Sequence, residues 1–473
     1  MTEQTETFSV PVKQVERAVK LSYAQAMLGS IYGASVGGMF LIGYALQLGA
    51  TNVQIGLMST IPMLFVWVQL LTSSLVERGV SRRLLTVIGA LGNVLGWVFV
   101  ILIPYVARDA PAPVKVMALI VIITVLTVFA YVSGNARGSW VGDLIPASFR
   151  GTFFGRLTMY AGIVGTIFAL IEGRFLDSLE GAGIGVFSVL FGFGIIVGLA
   201  NTLLFLPQAD VPLQQKATEP GTFRRYIGET FANKALIAVM IYALLWSLQS
   251  IAGPFYNTYM IRSVEEHGLG MPYLGIGIVN AMVTFTMLFF SPFWGRMVDR
   301  YGCRPILVLC TFGIAPFPLM WLAIPPGQAV MVYVLVAPLN LLGGFLIAGI
   351  SVALSTLIYK VTPSAGRSVQ FAIYSLIVTL AAAPMPFLGG YLTDSLRELL
   401  PWADLRVTFF AAMPFVLASA FVARLIKEPD SIRTGELLRN LPAHLIPEKS
   451  RPAARKSEQA PAEEESEVEK AGR

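Results

Sequence analysis

Residues 144–155 read Leu-Ile-Pro-Ala-Ser-Phe-Arg-Gly-Thr-Phe-Phe-Gly, and residues 360–371 read Lys-Val-Thr-Pro-Ser-Ala-Gly-Arg-Ser-Val-Gln-Phe. Pro146 aligns with Pro363, Arg150 with Arg367 and Phe154 with Phe371, each 217 positions apart. Gly173 with Gly390 and Asp177 with Asp394 continue the same register. Five identities at one separation point to a duplicated unit rather than to shared composition. A second correspondence, 222 positions apart, joins Ser73–Arg83 (SSLVERGVSRR) to Gly295–Pro305 (GRMVDRYGCRP). There Glu77 faces Asp299, Arg78 faces Arg300 and Arg82 faces Arg304.

Outward from these segments the chain alternates apolar runs with short polar connections. A membrane-crossing helix needs ~20 mostly apolar residues, because the hydrocarbon layer is ~30 Å thick and a helix rises ~1.5 Å per residue. Twelve runs qualify. In the first half they cover 22–48, 54–76, 84–106, 116–141, 157–176 and 186–206; in the second, 235–261, 273–294, 305–324, 329–355, 369–393 and 406–426. The connection 207–234 divides them six and six. Composition agrees: of 473 residues 55% are apolar and 13% charged, with a mean hydropathy of +0.69. Soluble domains carry ~25% charged residues, enough to coat a water-facing surface. The expected fold class is therefore an all-α polytopic membrane protein, with twelve transmembrane helices arranged as two pseudo-symmetric six-helix bundles.

Expected boundaries follow. Residues 1–21 form an N-terminal segment without the pattern of a cleaved leader, and 22–206 form the first bundle. The linker is 207–234, the second bundle 235–426, and the tail 427–473, whose Pro/Ala/Glu/Lys/Arg composition reads as disordered. Lys and Arg are concentrated in alternate connections, fourteen against four. Basic connections stay cytoplasmic, so both termini are expected to face the cytoplasm and the protein to be integral to the plasma (inner) membrane.

Several function classes lose support at this stage. The net charge of +6 sits in connections where topology explains it, so no nucleic-acid partner is expected. Cys303 and Cys310 make neither a disulfide framework nor a metal site, and His267 and His444 lie outside every apolar run. No metal, cofactor or catalytic constellation is expected. No phosphate-cradling G-x-x-x-x-G-K-[ST] loop is present, which argues against ATP. The protein is not expected to be an enzyme.

The run Gly295-Arg296-Met297-Val298-Asp299-Arg300-Tyr301-Gly302-Cys303-Arg304 resembles the G-x-x-x-D-R-x-G-x-R loop motif of the major facilitator superfamily. With the duplicated plan, the resemblance covers about residues 22–427. It implies two bundles around a central cavity that alternates between inward- and outward-open states. The better motif copy is in the second half, whereas the first-half copy has Ser73 for Gly and Glu77 for Asp. The fifth run, Tyr160–Phe175 (YAGIVGTIFALIEGRF), lacks the drug-exporter pattern; a weak likeness, Met385–Leu392 (MPFLGGYL), lies in the eleventh. No subfamily is assigned.

The motif residues Glu77, Arg78, Arg82, Gly295, Asp299, Arg300, Gly302 and Arg304 are candidate gating elements. A carboxylate at a helix end can accept charge-assisted hydrogen bonds from an Arg or a helix N-terminus. Asp299 is expected to engage the start of the fifth span near Arg150 or Arg156, and Glu77 to do the same near Arg367. Candidates for the substrate cavity are Tyr32, Tyr131, Asn135, Trp246, Gln249, Tyr256, Asn280 and Asn340, a set of amides and aromatics suited to a neutral or amphipathic small molecule. Each is singly compatible with an interhelical bond. Intramembrane charges are costly. Glu172 is read as a proton-coupling carboxylate, a local pair with Arg174 or a cavity-rim charge. Arg137 is read as a snorkelling residue with Asp143 as partner.

The leading functional reading is a secondary active transporter or facilitator of a small solute, with the lipid bilayer and candidate protons as its other partners. A transport-fold scaffold for assembly or sensing of a membrane partner is the alternative. A lipid-modifying enzyme is disfavoured by the histidine inventory.

Overall fold

The computed structural model describes residues 12–144, 150–208 apart from 180 and 182, 228–362, 367–399, 404–428 and 431. Every helix or strand element among them is helical. Twelve helical segments are long and apolar enough to cross a membrane: Gln14–Gln47, Asn52–Val76, Arg82–Val106, Ala112–Val141, Phe153–Ser178, Gly185–Leu203, Lys234–Ile261, Tyr273–Tyr301, Cys303–Trp321, Ala337–Val361, Gln370–Arg397 and Arg406–Leu425. They are numbered here as spans in that order. The protein is an all-α, multi-pass membrane protein.

Local chemistry sets several starts. Thr51 and Gln54 form a capping box before the second span, Ser81 caps the third, and the Asn233 side chain accepts from the N–H groups of Ala235 and Leu236 at the seventh. Two expected boundaries are corrected. The first helix begins at Val12, so residues 12–21 are not a separate segment but a polar extension of the first span. The tenth span is Ala337–Val361 rather than 329–355; residues 332–336 before it are wound as a π-turn and the helix outlasts the apolar run. Most of the linker, and of the tail beyond Glu428, lies outside the described residues.

Two spans are broken near their middle at matching places in the halves. The first changes course at Gly37–Gly38, where Gly38 has φ +52, between helices Val12–Val36 and Gly38–Gln47. The seventh passes through a 3₁₀ turn, Gln249–Ala252, between Lys234–Leu248 and Gly253–Ile261. Beyond each break a tyrosine fixes the half-helix. Tyr44 donates to the carbonyl of Val100 (2.7 Å) and Tyr259 to that of Ile324 (2.6 Å), tying the first span to the third and the seventh to the turn just beyond the ninth.

Away from the linker, the largest hydrophobic cluster runs through both halves: Phe40, Ile55, Ile103, Leu119 and Phe187 are continuous with Phe255, Tyr259, Ile276 and Phe409. At the linker end the cores are separate. Val239, Trp294, Ile306, Leu357 and Val416 belong to a cluster wholly within the second half, while Ala18, Trp140 and Phe205 form a small one within the first. Among the described residues the halves thus share a core at the far end only.

Candidate functional site

Two seams close the far end, the fifth span against the eighth and the second against the eleventh. At the first seam both carboxylate oxygens of Asp177 accept from the start of the eighth span, from the N–H of Tyr273 (2.7 Å) and of Leu274 (2.8 Å). At the second, Asp394 accepts from the Val53 N–H (3.0 Å) and the Asn52 amide (2.6 Å). Each carboxylate satisfies orphan donors of a helix N-terminus in the opposite half and meets the positive end of its dipole. Four residues earlier stand Gly173 and Gly390. A methyl group on Gly173 would sit 3.0 Å from the backbone of Tyr273 and Leu274; one on Gly390 would overlap the carbonyl of Asn52. The repeat identities Gly173/Gly390 and Asp177/Asp394 are therefore the two halves of one device.

Next to the first seam, between the first, fifth and eighth spans, lies a cavity of about 210 Å³ lined by Gly33, Gly37, Thr166, Ala169, Asn280 and Thr284, among others. One helical turn from Ala169, Glu172 is 4% exposed. Its Oε1 is hydrogen-bonded to Ser35 Oγ, just before the break in the first span, and its Oε2 has no partner among the described residues. The local pair with Arg174 is not formed: Arg174 is exposed and Ser35 takes its place.

Of the eight cavity candidates, Asn280 alone lines this cavity, and its amide donates to Asn257 (3.2 Å). Tyr32 donates to Asn93 (2.7 Å), whose amide donates in turn to the Leu126 carbonyl (2.8 Å), a chain through the first, third and fourth spans. Asn135 accepts from Ser73 (3.2 Å) and Asn340 donates to the Val279 carbonyl (3.3 Å). Tyr256 stacks on Phe409 at 4.5 Å, Trp246 packs on the second-half core, Gln249 opens the 3₁₀ turn and Tyr131 is half-buried. The structure does not gather the eight into one site.

The loop-motif residues sit at the linker end. Asp299 is exposed and makes no ion pair or hydrogen bond among the described residues, so the expected contact with Arg156 is absent. The side chains of Glu77, Arg150 and Arg367 lie outside the described residues. Arg82 is buried and donates to Ser139 (3.2 Å), Arg78 is exposed, and Arg300 lies over the Tyr301 ring. Gly295 lies on the eighth span and Gly302, at φ +90, ends it. The helix that follows is capped by a residue the motif does not contain. Glu428 accepts from the N–H of Cys303 (3.1 Å) and of Arg304 (2.8 Å) and pairs with Lys360 (2.9 Å), while Arg304 donates to the Arg424 carbonyl (2.7 Å). Burial pushes the Glu428 carboxyl up, but these donors outweigh it and hold it below the usual carboxylate range. The head of the expected disordered tail is thus fixed. Arg137 lies over the Phe205 ring at 5.4 Å, and the side chain of its expected partner Asp143 lies outside the described residues.

Ser35, Asn52, Asn93 and Glu428 were not legible as site residues. Each acts on a partner far away in sequence and carries no local signature.

The Major Facilitator Superfamily model matches residues 235–457, the half that carries the better loop motif. That match marks the second half of the chain as similar to this superfamily. Two curated relatives are a class H tetracycline resistance protein of Pasteurella multocida, 26% identical over 193 residues (40% of this chain), and the multidrug transporter mfsB of Aspergillus fumigatus, 28% identical over 141 residues (30% of this chain). The matches span 41% and 22% of those relatives' own lengths. Among solved structures, a mutant of the nucleoside transporter NupG superposes with a TM-score of 0.67 over 88% of this chain and 100% of its own, at 14% identity. The D-xylose-proton symporter does so at 0.65 over 89% and 98%, also at 14% identity. Such likenesses at low identity establish the twelve-span fold alone.

Proposed function

We propose that this protein is a secondary active transporter, or facilitator, of a small neutral or amphipathic solute working by alternating access. The reading is carried by one observation: the halves share a hydrophobic core at the far end and keep separate cores at the linker end. A fold with one sealed end and two independent bodies at the other is built to exchange which end is sealed. The bodies in this reading are residues 22–206 and 235–426, and the distribution of Lys and Arg supports a linker end and both termini in the cytoplasm of a plasma-membrane protein. The present arrangement is then inward-facing. In the outward-facing one, Asp299 meets the start of the fifth span near Arg150 and Glu77 meets the start of the eleventh near Arg367.

The substrate class rests on what lines the path. The cavity beside the first seam is walled by glycines, alanines, threonines, two larger apolar side chains and one amide, without a fixed charge of either sign. The nucleoside transporter and the xylose symporter named above handle uncharged solutes by their names. The symporter's name also includes a proton; here Glu172 is the candidate to carry one.

A ligand-dependent thermal-shift screen of the detergent-purified protein tests the reading, with neutral metabolites, sugars, amphipathic drugs and organic anions as probes. A ligand at a hundred times its Kd stabilises by ~2.7 kcal/mol if it binds only the folded state. A hit lost in Asn280→Ala, followed by uptake or efflux of that compound in vesicles, is the expected result. Binding without movement of any compound across the vesicle membrane would leave the scaffold reading in its place.

A further inference from the structure

Glu172 and Gly173 are neighbours with opposite duties. Gly173 faces the eighth span, where its missing side chain lets the backbone of Tyr273 and Leu274 come close; Glu172 faces the first span and Ser35. The repeat register shows what is unusual here. The equivalent of Glu172 is Gly389, whose Cα lies so close to the Ile251 carbonyl of the seventh span that a methyl group would overlap it. One half closes this contact backbone to backbone. The other inserts a carboxyl group.

Proton counting narrows that group to two arrangements. Ser35 Oγ lies within hydrogen-bond distance of two oxygens, the Ile31 carbonyl at 2.9 Å and Glu172 Oε1. The carbonyl only accepts, and a serine hydroxyl has one proton to give. With that proton on Ile31, the second contact takes a proton from Glu172; with it on Glu172 Oε1, the group can be ionised only as a buried charge met by a single hydroxyl, its Oε2 having no partner among the described residues. Among the described residues nothing else nearby supplies compensation. Charged residues on the packed helices fall at their ends in the sequence: Lys13, Glu16, Arg17 and Lys20 on the first, Arg296, Asp299 and Arg300 on the eighth, and none on the sixth. On the fifth span itself Arg174 is exposed and Asp177 is bound to the eighth, while Arg156 and Arg150 stand at its start. Tyr23, Tyr32, Tyr44, Tyr160, Tyr273 and Tyr301 complete the titratable set, and none bonds to Glu172 among the described residues. A buried carboxylate without a counterion is strongly disfavoured.

We infer that Glu172 is a proton-binding site that holds the seam between the fifth and eighth spans closed while protonated against Ser35, and that loss of this proton opens the far end. The ionised carboxylate requires water, which reaches it when the fifth span shifts; the Gly173 contact with the eighth span is the first to feel that shift. The inference rests on the transport reading for its purpose, but its test needs no cargo.

Spin labels on Leu179→Cys and Glu265→Cys, both at exposed far-end positions, report the seam by pulsed EPR, and the native Cys303 and Cys310 are buried. The wild-type background should gain a longer distance between pH 5 and pH 9, at least tenfold in population. Glu172→Gln, which keeps a donor towards Ser35 and cannot ionise, should hold the short distance throughout. Ser35→Ala removes the acceptor of the Glu172 proton and so weakens the protonated, closed form, and opening should begin at lower pH. The same pH response in Glu172→Gln as in the wild type would overturn the inference and leave alternating access standing. A seam that stays closed in both, or one that opens on adding sodium at fixed pH, would also overturn it. The transport reading stands or falls separately, on the ligand screen and vesicle flux.

Discussion

Asp394 accepts a hydrogen bond from the backbone N–H of Val53 at 3.0 Å, so a carboxylate at the end of the eleventh span caps the start of the second, 341 residues away in the chain. Asp177 does the same for the eighth span through Tyr273 and Leu274. A duplicated sequence feature has become a pair of latches across the two seams.

Hydrogen bonds to a charged group contribute ~1.5–3 kcal/mol each. Asp394→Asn and Asp177→Asn should therefore loosen the far end by roughly that much per latch. A cysteine replacing Met58, which is 5% exposed within the shared core, should react several-fold faster with a membrane-impermeant maleimide in either variant. Unchanged labelling in both would show that the latches do not hold this end shut.

Backbone approach at the latches is tested by adding one methyl group. In Gly390→Ala the new carbon overlaps the carbonyl of Asn52, and no rotamer relieves a backbone clash. Overpacking of this kind costs ~1–3 kcal/mol. Gly134→Ala, on the fourth span, meets nothing within 4 Å and gains ~1 kcal/mol of helix propensity. The first should lower Tm and the second should hold or raise it; equal Tm values would refute the close seam.

Glu428 gives a pH dependence at the linker end. Its carboxyl is held below the usual range, so the clasp on Cys303, Arg304 and Lys360 contributes fully above the unfolded pKa of ~4.3. That contribution is lost as pH falls through the lower folded-state value. Glu428→Gln should cost ~1–3 kcal/mol at neutral pH and flatten the acid side of a Tm–pH curve. The Lys360 side chain is 47% exposed, so the backbone donors should account for most of the loss and Lys360→Met for little.

Asp299 is unpaired among the described residues in this arrangement and is proposed to pair near Arg150 in the other. Asp299→Arg should abolish flux of an identified substrate while leaving Tm within about 0.5 kcal/mol of stability, as for an exposed substitution. Adding Arg150→Asp should restore flux. Failure of the swap would make Arg150 the wrong partner.

The sequence by itself determined the twelve spans, their helical class and the duplication, because each is written in near neighbours. Hydropathy over ~20 residues and identities in a fixed register need no tertiary information. It also marked Gly173, Asp177, Gly390 and Asp394 as special without saying for what. Their purpose appears only when the fifth span meets the eighth and the eleventh meets the second. Glu172 was legible as a costly buried acid, yet Ser35, 137 residues earlier, is a partner that only folding supplies. The loop motif drew attention to Asp299, while the helix start beside it is capped by Glu428 from 124 residues further on. In a helical membrane protein, local sequence decides which segments enter the bilayer. Which polar groups then satisfy one another across helices is decided by packing, where an unmet donor or acceptor has no water to turn to.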